Sequence, residues 1–228
     1  MSLSKRRRSH PPPRRLGVVT LCSGIEAPIQ CLENLNIRFR HLAACDNDAS
    51  VKRVLLRNFS PERFISDLAL ATESLAGLPQ DAIDLLVAGF PCQSFSLQGT
   101  RKGCRDGKRG LLILHIIRVL MQCMPKVCIL ENVAGLTMGA MRETFEAILE
   151  LLRSVSKGPL GYHVEWQILD TKFYSVPQSR PRLYVVMFRS DVYDPSSSAL
   201  YGPHLHTREL EGPRGGPKPA WDFTFHVE

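Results

Sequence analysis

The chain has 228 residues, 44% of them hydrophobic and 22% charged, which is ordinary for a globular protein and enough for one sizeable core. No run of about 18 uncharged apolar residues occurs, which argues against a membrane-spanning helix, and the arginine-rich start lacks the apolar segment of a secretory signal. The net charge of +7 is local: Lys5, Arg6, Arg7, Arg8, Arg14 and Arg15 lie in the first 15 residues with no acid among them, so the rest is close to neutral.

In chain order, residues 1–15 come first. A like-charged block broken by Pro11, Pro12 and Pro13 cannot bury apolar surface, and a disordered tail is expected. Such a tail could hold nucleic acid by counterion release, direct import into the nucleus, or be simply solvated. Residues 16–21 (LGVVTL) then read as a buried strand, followed by Ser23-Gly24 and a helical spacing at Ile25, Ile29, Leu32 and Leu35. A second strand is predicted over 41–45, with Asp46-Asn47-Asp48 leading into a helix near 49–57. A third strand covers 83–88, bounded by Gly89 and Pro91. The remaining elements are a buried helix over 110–123, a strand over 127–130, an amphipathic helix over 140–153, and strands over 164–169 and 183–188.

Strands alternating with helices of this length predict an α/β fold with a Rossmann-like, doubly wound, mostly parallel sheet. Ligands in such folds bind at the carboxyl ends of the strands, here just after residues 21, 45, 88 and 130. Residues 16–193 are thus expected to form the folded domain. From residue 194 the chain turns rich in Pro, Gly and Ser and reads as loop, until Trp221, Phe223 and Phe225 alternate like a strand beginning. The seven cysteines, an odd number without a C-x-x-C pair, support neither a disulfide framework nor a zinc site. Reduced, buried thiols fit better.

Three short motifs fall at the strand ends. Gly89-Phe90-Pro91-Cys92-Gln93-Ser94-Phe95-Ser96 leaves the third strand and sets a thiol where a nucleophile could work. Glu131-Asn132-Val133 sets a carboxyl group at a neighbouring strand end. In Gln178-Ser179-Arg180-Pro181-Arg182, two arginines spaced by two point the same way in extended chain and can face one polar partner. Each alone has a plain structural reading: a buried loop cysteine, a helix cap, surface arginines.

In this order and spacing the three resemble the cytosine-C5 DNA methyltransferase family, over roughly residues 16–190. The resemblance implies a class I S-adenosylmethionine-dependent methyltransferase. It gives Cys92 the role of nucleophile toward cytosine C6. Glu131 would bind N3 and the exocyclic amine, and Arg182 with Arg180 would contact the base carbonyl and orient Glu131. Gln93, Ser96, Asn132 and Gln178 fall on the substrate side. Cys22, Ser23, Gly24 and Ile25 would form the loop around the cofactor, Asp46 would meet ribose hydroxyls, Asp67 with Leu68 would meet adenine, and Pro91 would line the methionine side. The target cytosine must leave the duplex to be reached. No metal is implied.

Two departures stand out. Glu26 occupies the position where relatives carry a second loop glycine, which puts a carboxylate near the cofactor's own carboxylate or its cationic groups. Past Arg182, relatives continue through a target-recognition region to an Arg-Glu and a Gly-Asn motif; here an Arg-Glu pair stands at Arg208-Glu209, too soon after Arg182 for such a region to intervene, and no Gly-Asn pair follows it. The expectation is that a longer form or a partner chain supplies that half. The alternatives are a catalytically silent, DNA-binding regulator and, less so, a transfer RNA methyltransferase.

Overall fold

The computed structural model describes residues 14–90, 112–174 and 177–193. Pro91, Cys92, Gln93, Ser96 and the stretch from residue 194 lie outside the described residues, as do residues 1–13. Seven strands form one sheet in the order β3-β2-β1-β4-β5-β7-β6. They are β1 (Leu16–Leu21), β2 (Phe39–Cys45), β3 (Phe64–Ile65), β4 (Leu85–Gly89), β5 (Val127–Val133), β6 (Tyr162–Asp170) and β7 (Pro181–Arg189). The first five are parallel, whereas β7 runs antiparallel to both β5 and β6. The order reverses between β1 and β4, and this is the switch point at which such sheets open a ligand crevice.

The helices are α1 (Ala27–Asn34), α2 (Ala49–Asn58), α3 (Ala71–Leu75), α4 (Leu112–Cys123) and α5 (Arg142–Ser154). α5 forms because Phe145, Ile148, Leu149 and Leu152 recur at helical spacing and face the sheet, where Phe145 meets the Trp166 ring edge-on at 5.1 Å. α4 is apolar enough to bury Ile113, Ile116, Ile117, Val119 and Leu120. On the opposite face, Ile29 and Leu32 of α1 pack on Val18 and Leu85. α2 starts at Asp48, whose carboxylate accepts from the amides of Ser50 and Val51. No described helix is long and apolar enough to cross a membrane.

The helix expected from Ile25 begins instead at Ala27, and Ile25 is 68% exposed. Arg14, which charge alone assigns to the tail, is tied to the body through Asp81 and Asp84. The five described cysteines are free thiols.

Candidate active site

The carboxyl ends of β1, β2, β4 and β5 meet at one edge of the sheet. β1 leaves through Cys22, Ser23 and Gly24, and both Cys22 (φ 51°) and Gly24 (φ 53°) adopt left-handed backbone. Ser23 locks this turn to β2: its amide donates to the Cys45 carbonyl at 2.9 Å, and its hydroxyl accepts from the Cys45 amide at 3.0 Å. The Gly24 amide donates to Asp46 Oδ2 at 2.9 Å, while Oδ1 takes the Asp48 amide at 2.9 Å. Asp46 therefore shapes the loop as well as facing the crevice, with further lone pairs free for hydroxyl donors. Asp67 caps a 3-10 turn over Leu68–Leu70 by accepting from the Ala69 amide, and stays exposed. Leu68 is buried in the core, so it supports this rim from below.

Glu131 and Arg182 stand on the far side of β4 from this loop. Glu131 sits in register with Gly89 of β4 and with Tyr184 of β7. Arg182 approaches it across the antiparallel pair, with Nε 3.1 Å from Glu131 Oε1. Both groups are half-buried, open enough to meet a ligand. The alternation expected of Arg180 and Arg182 extends to Tyr184, whose hydroxyl is pushed up by burial and by the nearby Glu131 carboxylate. Sequence reading missed this tyrosine because nothing local marks it.

Gly89 joins the two sides. A Cβ there would lie 3.7 Å from the Cys22 carbonyl oxygen and 3.7 Å from Glu131 Oε2, so the absent side chain leaves a gap between the loop after β1 and the carboxylate. The chain then passes to Phe90 and, two residues on, to Cys92. Asn132 requires a correction. Its side chain is buried, donates to the Phe90 carbonyl at 3.3 Å and accepts from the Val133 amide at 2.8 Å. It braces the chain ahead of Pro91 rather than facing a substrate. Gln178 is exposed, and its carbonyl accepts from the Thr171 hydroxyl.

Glu26 also differs from its expected place. It does not reach into the crevice but turns beneath α1, fully buried, with Oε1 accepting from Thr20 Oγ1 at 2.7 Å and lying 3.5 Å from His41 Nε2. In the sequence Thr20 is a polar residue within the apolar run 16–21, and His41 opens the strand expected over 41–45. Concavities bordered by Gln122, Lys157 and Arg189, and by Arg14, Arg40 and Asp81, open elsewhere and share no residue with this site.

An acceptor-rich rim of Asp46, Asp67 and the Cys22 carbonyl, with open space over Gly24, suits a cationic, hydroxyl-bearing cofactor. Fold and site together define a class I, S-adenosylmethionine-type methyltransferase domain. Similarity to known proteins makes this specific. The family model for C-5 cytosine-specific DNA methylase matches residues 16–211, and the chain belongs to that family. It is 33% identical over 180 residues to the orphan methyltransferase M.SPRI of Bacillus phage SPR, covering 78% of this chain and 39% of that one. It is 43% identical over 108 residues to the type II methyltransferase M.Bsp6I of Bacillus sp. (strain RFL6), covering 47% and 33%. Among solved structures, a DNA modification methyltransferase encoded within an E. coli prophage aligns with a TM-score of 0.61 at 20% identity, over 81% of this chain and 50% of that chain. The S. pombe Dnmt2 methyltransferase aligns with a TM-score of 0.55 at 22% identity, over 77% and 50%. The chain thus spans about half the length of these structures and less than two-fifths of these curated relatives.

Proposed function

We propose that the chain is the cofactor-binding and catalytic half of an enzyme that methylates C5 of cytosine in double-stranded DNA. The Glu131–Arg182 pair carries the reading: a carboxylate held 3.1 Å from a guanidinium, at the strand end beside Gly89 and next to the cofactor loop. A structural ion pair would need neither the gap at Gly89 nor a following Pro91-Cys92.

S-adenosylmethionine, when bound by the Cys22–Ile25 loop with Asp46 and Asp67, supplies the electrophilic methyl group that C5 takes. The chain's own residues prepare the base. The Cys92 thiolate adds to C6 of a flipped cytosine, forming a C–S bond and pushing the ring electrons toward C5 and N3. Glu131 holds N3 and the exocyclic amine, where a proton is needed as charge develops. Arg182 fixes the Glu131 carboxylate in the plane of the base, and Arg180 adds positive charge on the same side. Loss of the C5 proton then breaks the C–S bond and frees the thiolate.

The recognition half would come from a longer form or a partner chain. Duplex DNA carrying 5-fluorocytosine tests the chemistry, because fluorine at C5 blocks that proton loss. With cofactor and a complementing recognition half, a covalent adduct is expected that Cys92→Ser abolishes. Well-folded protein that forms no adduct there would leave a silent, DNA-binding relative as the reading. Residues 5–15 would direct the chain to a nucleus, and a reporter fused to them that stays cytoplasmic rules this out.

A further inference from the structure

Behind the cofactor loop lies a buried polar cluster that methyl transfer does not use. Glu26 is the N-cap of α1, in left-handed backbone (φ 62°, ψ 41°), and its side chain makes no capping bond. Thr20 of β1 has one hydroxyl proton, donated to Glu26 Oε1 at 2.7 Å. Its oxygen also lies 3.0 Å from Ser23 Oγ and 3.2 Å from His41 Nε2. Glu26 Oε2 and His41 Nδ1 are both buried without a partner.

We propose that Glu26 is a positioning residue for the cofactor loop: its buried, uncharged carboxyl clasps the start of α1 to Thr20 and His41, and the clasp loosens as that carboxyl ionises. This rests on the cofactor reading of the Cys22–Ile25 loop.

The geometry dictates the direction. An ionised carboxylate would have only neutral hydroxyls to favour it and would leave Oε2 bare in the interior. Burial accordingly pushes the Glu26 carboxyl up to about 7, against the Thr20 and Ser23 hydroxyls, which favour the ionised form, and with the Asp46 carboxylate, which opposes it. His41 gives little relief, since burial pushes it down to about 4. The thiols of Cys22 and Cys45, both pushed up to about 12, stay neutral beside the loop. Glu26 has a raised pKa in the clasped state, so its own contribution to clasping is fully present below its ordinary value of 4.5 and is lost as pH rises past about 7. His41 has a lowered pKa, so it opposes clasping only as pH falls from 6.5 toward about 4.

Backbone hydrogen exchange at Ser23 and Gly24 reads the clasp without any turnover. Protection in the wild type, divided by that in Glu26→Gln at the same pH, is expected to fall about tenfold or more between pH 5 and 7.5. Glu26→Gln itself should show no such trend, because the amide keeps the Thr20 bond and cannot ionise. Thr20→Val removes a bond that favours the ionised form, so its transition should move to higher pH. Parallel loss of protection in wild type and Glu26→Gln would overturn the proposal. S-adenosylhomocysteine added at pH 5.5 is the separate arm. If it neither binds nor protects the loop while the pH trend holds, the cofactor reading falls and the clasp stands.

Discussion

At the amino-terminal edge of the parallel strands, buried charges are met on every side; at the carboxyl edge, polar groups stand half-open beside glycine. Asp84 takes the Gly17 amide at 2.8 Å, Lys126 Nζ at 2.9 Å and Arg14 Nη2 at 3.2 Å. Arg189, 3% exposed, donates to the Met124 carbonyl and pairs with Asp191 and Asp81, which hold its guanidinium charged against burial. These pairs tie the strand ends together, and the concavities beside them are bordered by Arg14 and Arg189, whose charges already have acidic partners. At the other edge, Asp46, Glu131 and Arg182 keep lone pairs or donors toward solvent, with Gly24 and Gly89 leaving space. The same residue types are thus paired off at one end and left half-open at the other, and what separates them is the completeness of their partnering.

Substitutions at the closed end should act on stability alone. Gly17→Ala is the severest, because the new Cβ would sit 1.8 Å from the Ala82 carbonyl oxygen and 2.9 Å from Leu42 Cδ1. A backbone contact cannot rotate away, so a loss of about 3 kcal/mol or more is expected in urea unfolding. Asp84→Ala follows at about 2–3 kcal/mol, since it strands the buried Gly17 amide, while Lys126 and Arg14 are exposed enough to turn to water. Cofactor affinity, measured where both variants stay folded, should not change. A large affinity loss in Asp84→Ala would mean that the two ends are coupled through the strands.

Much of the open end could be read from the sequence, and little of the closed end. The motifs Gly89–Cys92, Glu131–Val133 and Gln178–Arg182 flank apolar strands, so position put each at a strand end, while the meeting of Arg182 with Glu131 was legible only through the family resemblance. Asp84 gave no such signal, because its partners lie 42 to 70 residues away in the chain, and of the partners of Arg189 only Asp191 is near in sequence. β3 was missed since only two residues pair there, and α3 because its five residues are too few to show a period. Glu26 and Asn132 were misplaced for one reason. Sequence position says which loop a polar residue belongs to, while its direction depends on which buried donor or acceptor lacks a partner: Thr20 for the one, the Phe90 carbonyl for the other.

Two substitutions at the open end sharpen the contrast. Asp46→Ala removes a charge-assisted bond to the Gly24 amide, and cofactor affinity by calorimetry should fall about tenfold or more, with unfolding free energy changed by about 1 kcal/mol or less. Gly89→Ala should do least. It adds the same methyl group as Gly17→Ala but meets only ordinary contacts at 3.7 Å, so stability should shift by about 0.5 kcal/mol or less. That methyl group nevertheless enters the gap between the Cys22 carbonyl and Glu131, so affinity should weaken severalfold while the melting curve is nearly unmoved. Unchanged affinity would mean that the cofactor does not pass over Gly89, and the crevice would then have to lie between β1 and β2 alone. A loss of stability comparable to Gly17→Ala would mean that the carboxyl edge is as tightly packed as the amino-terminal one.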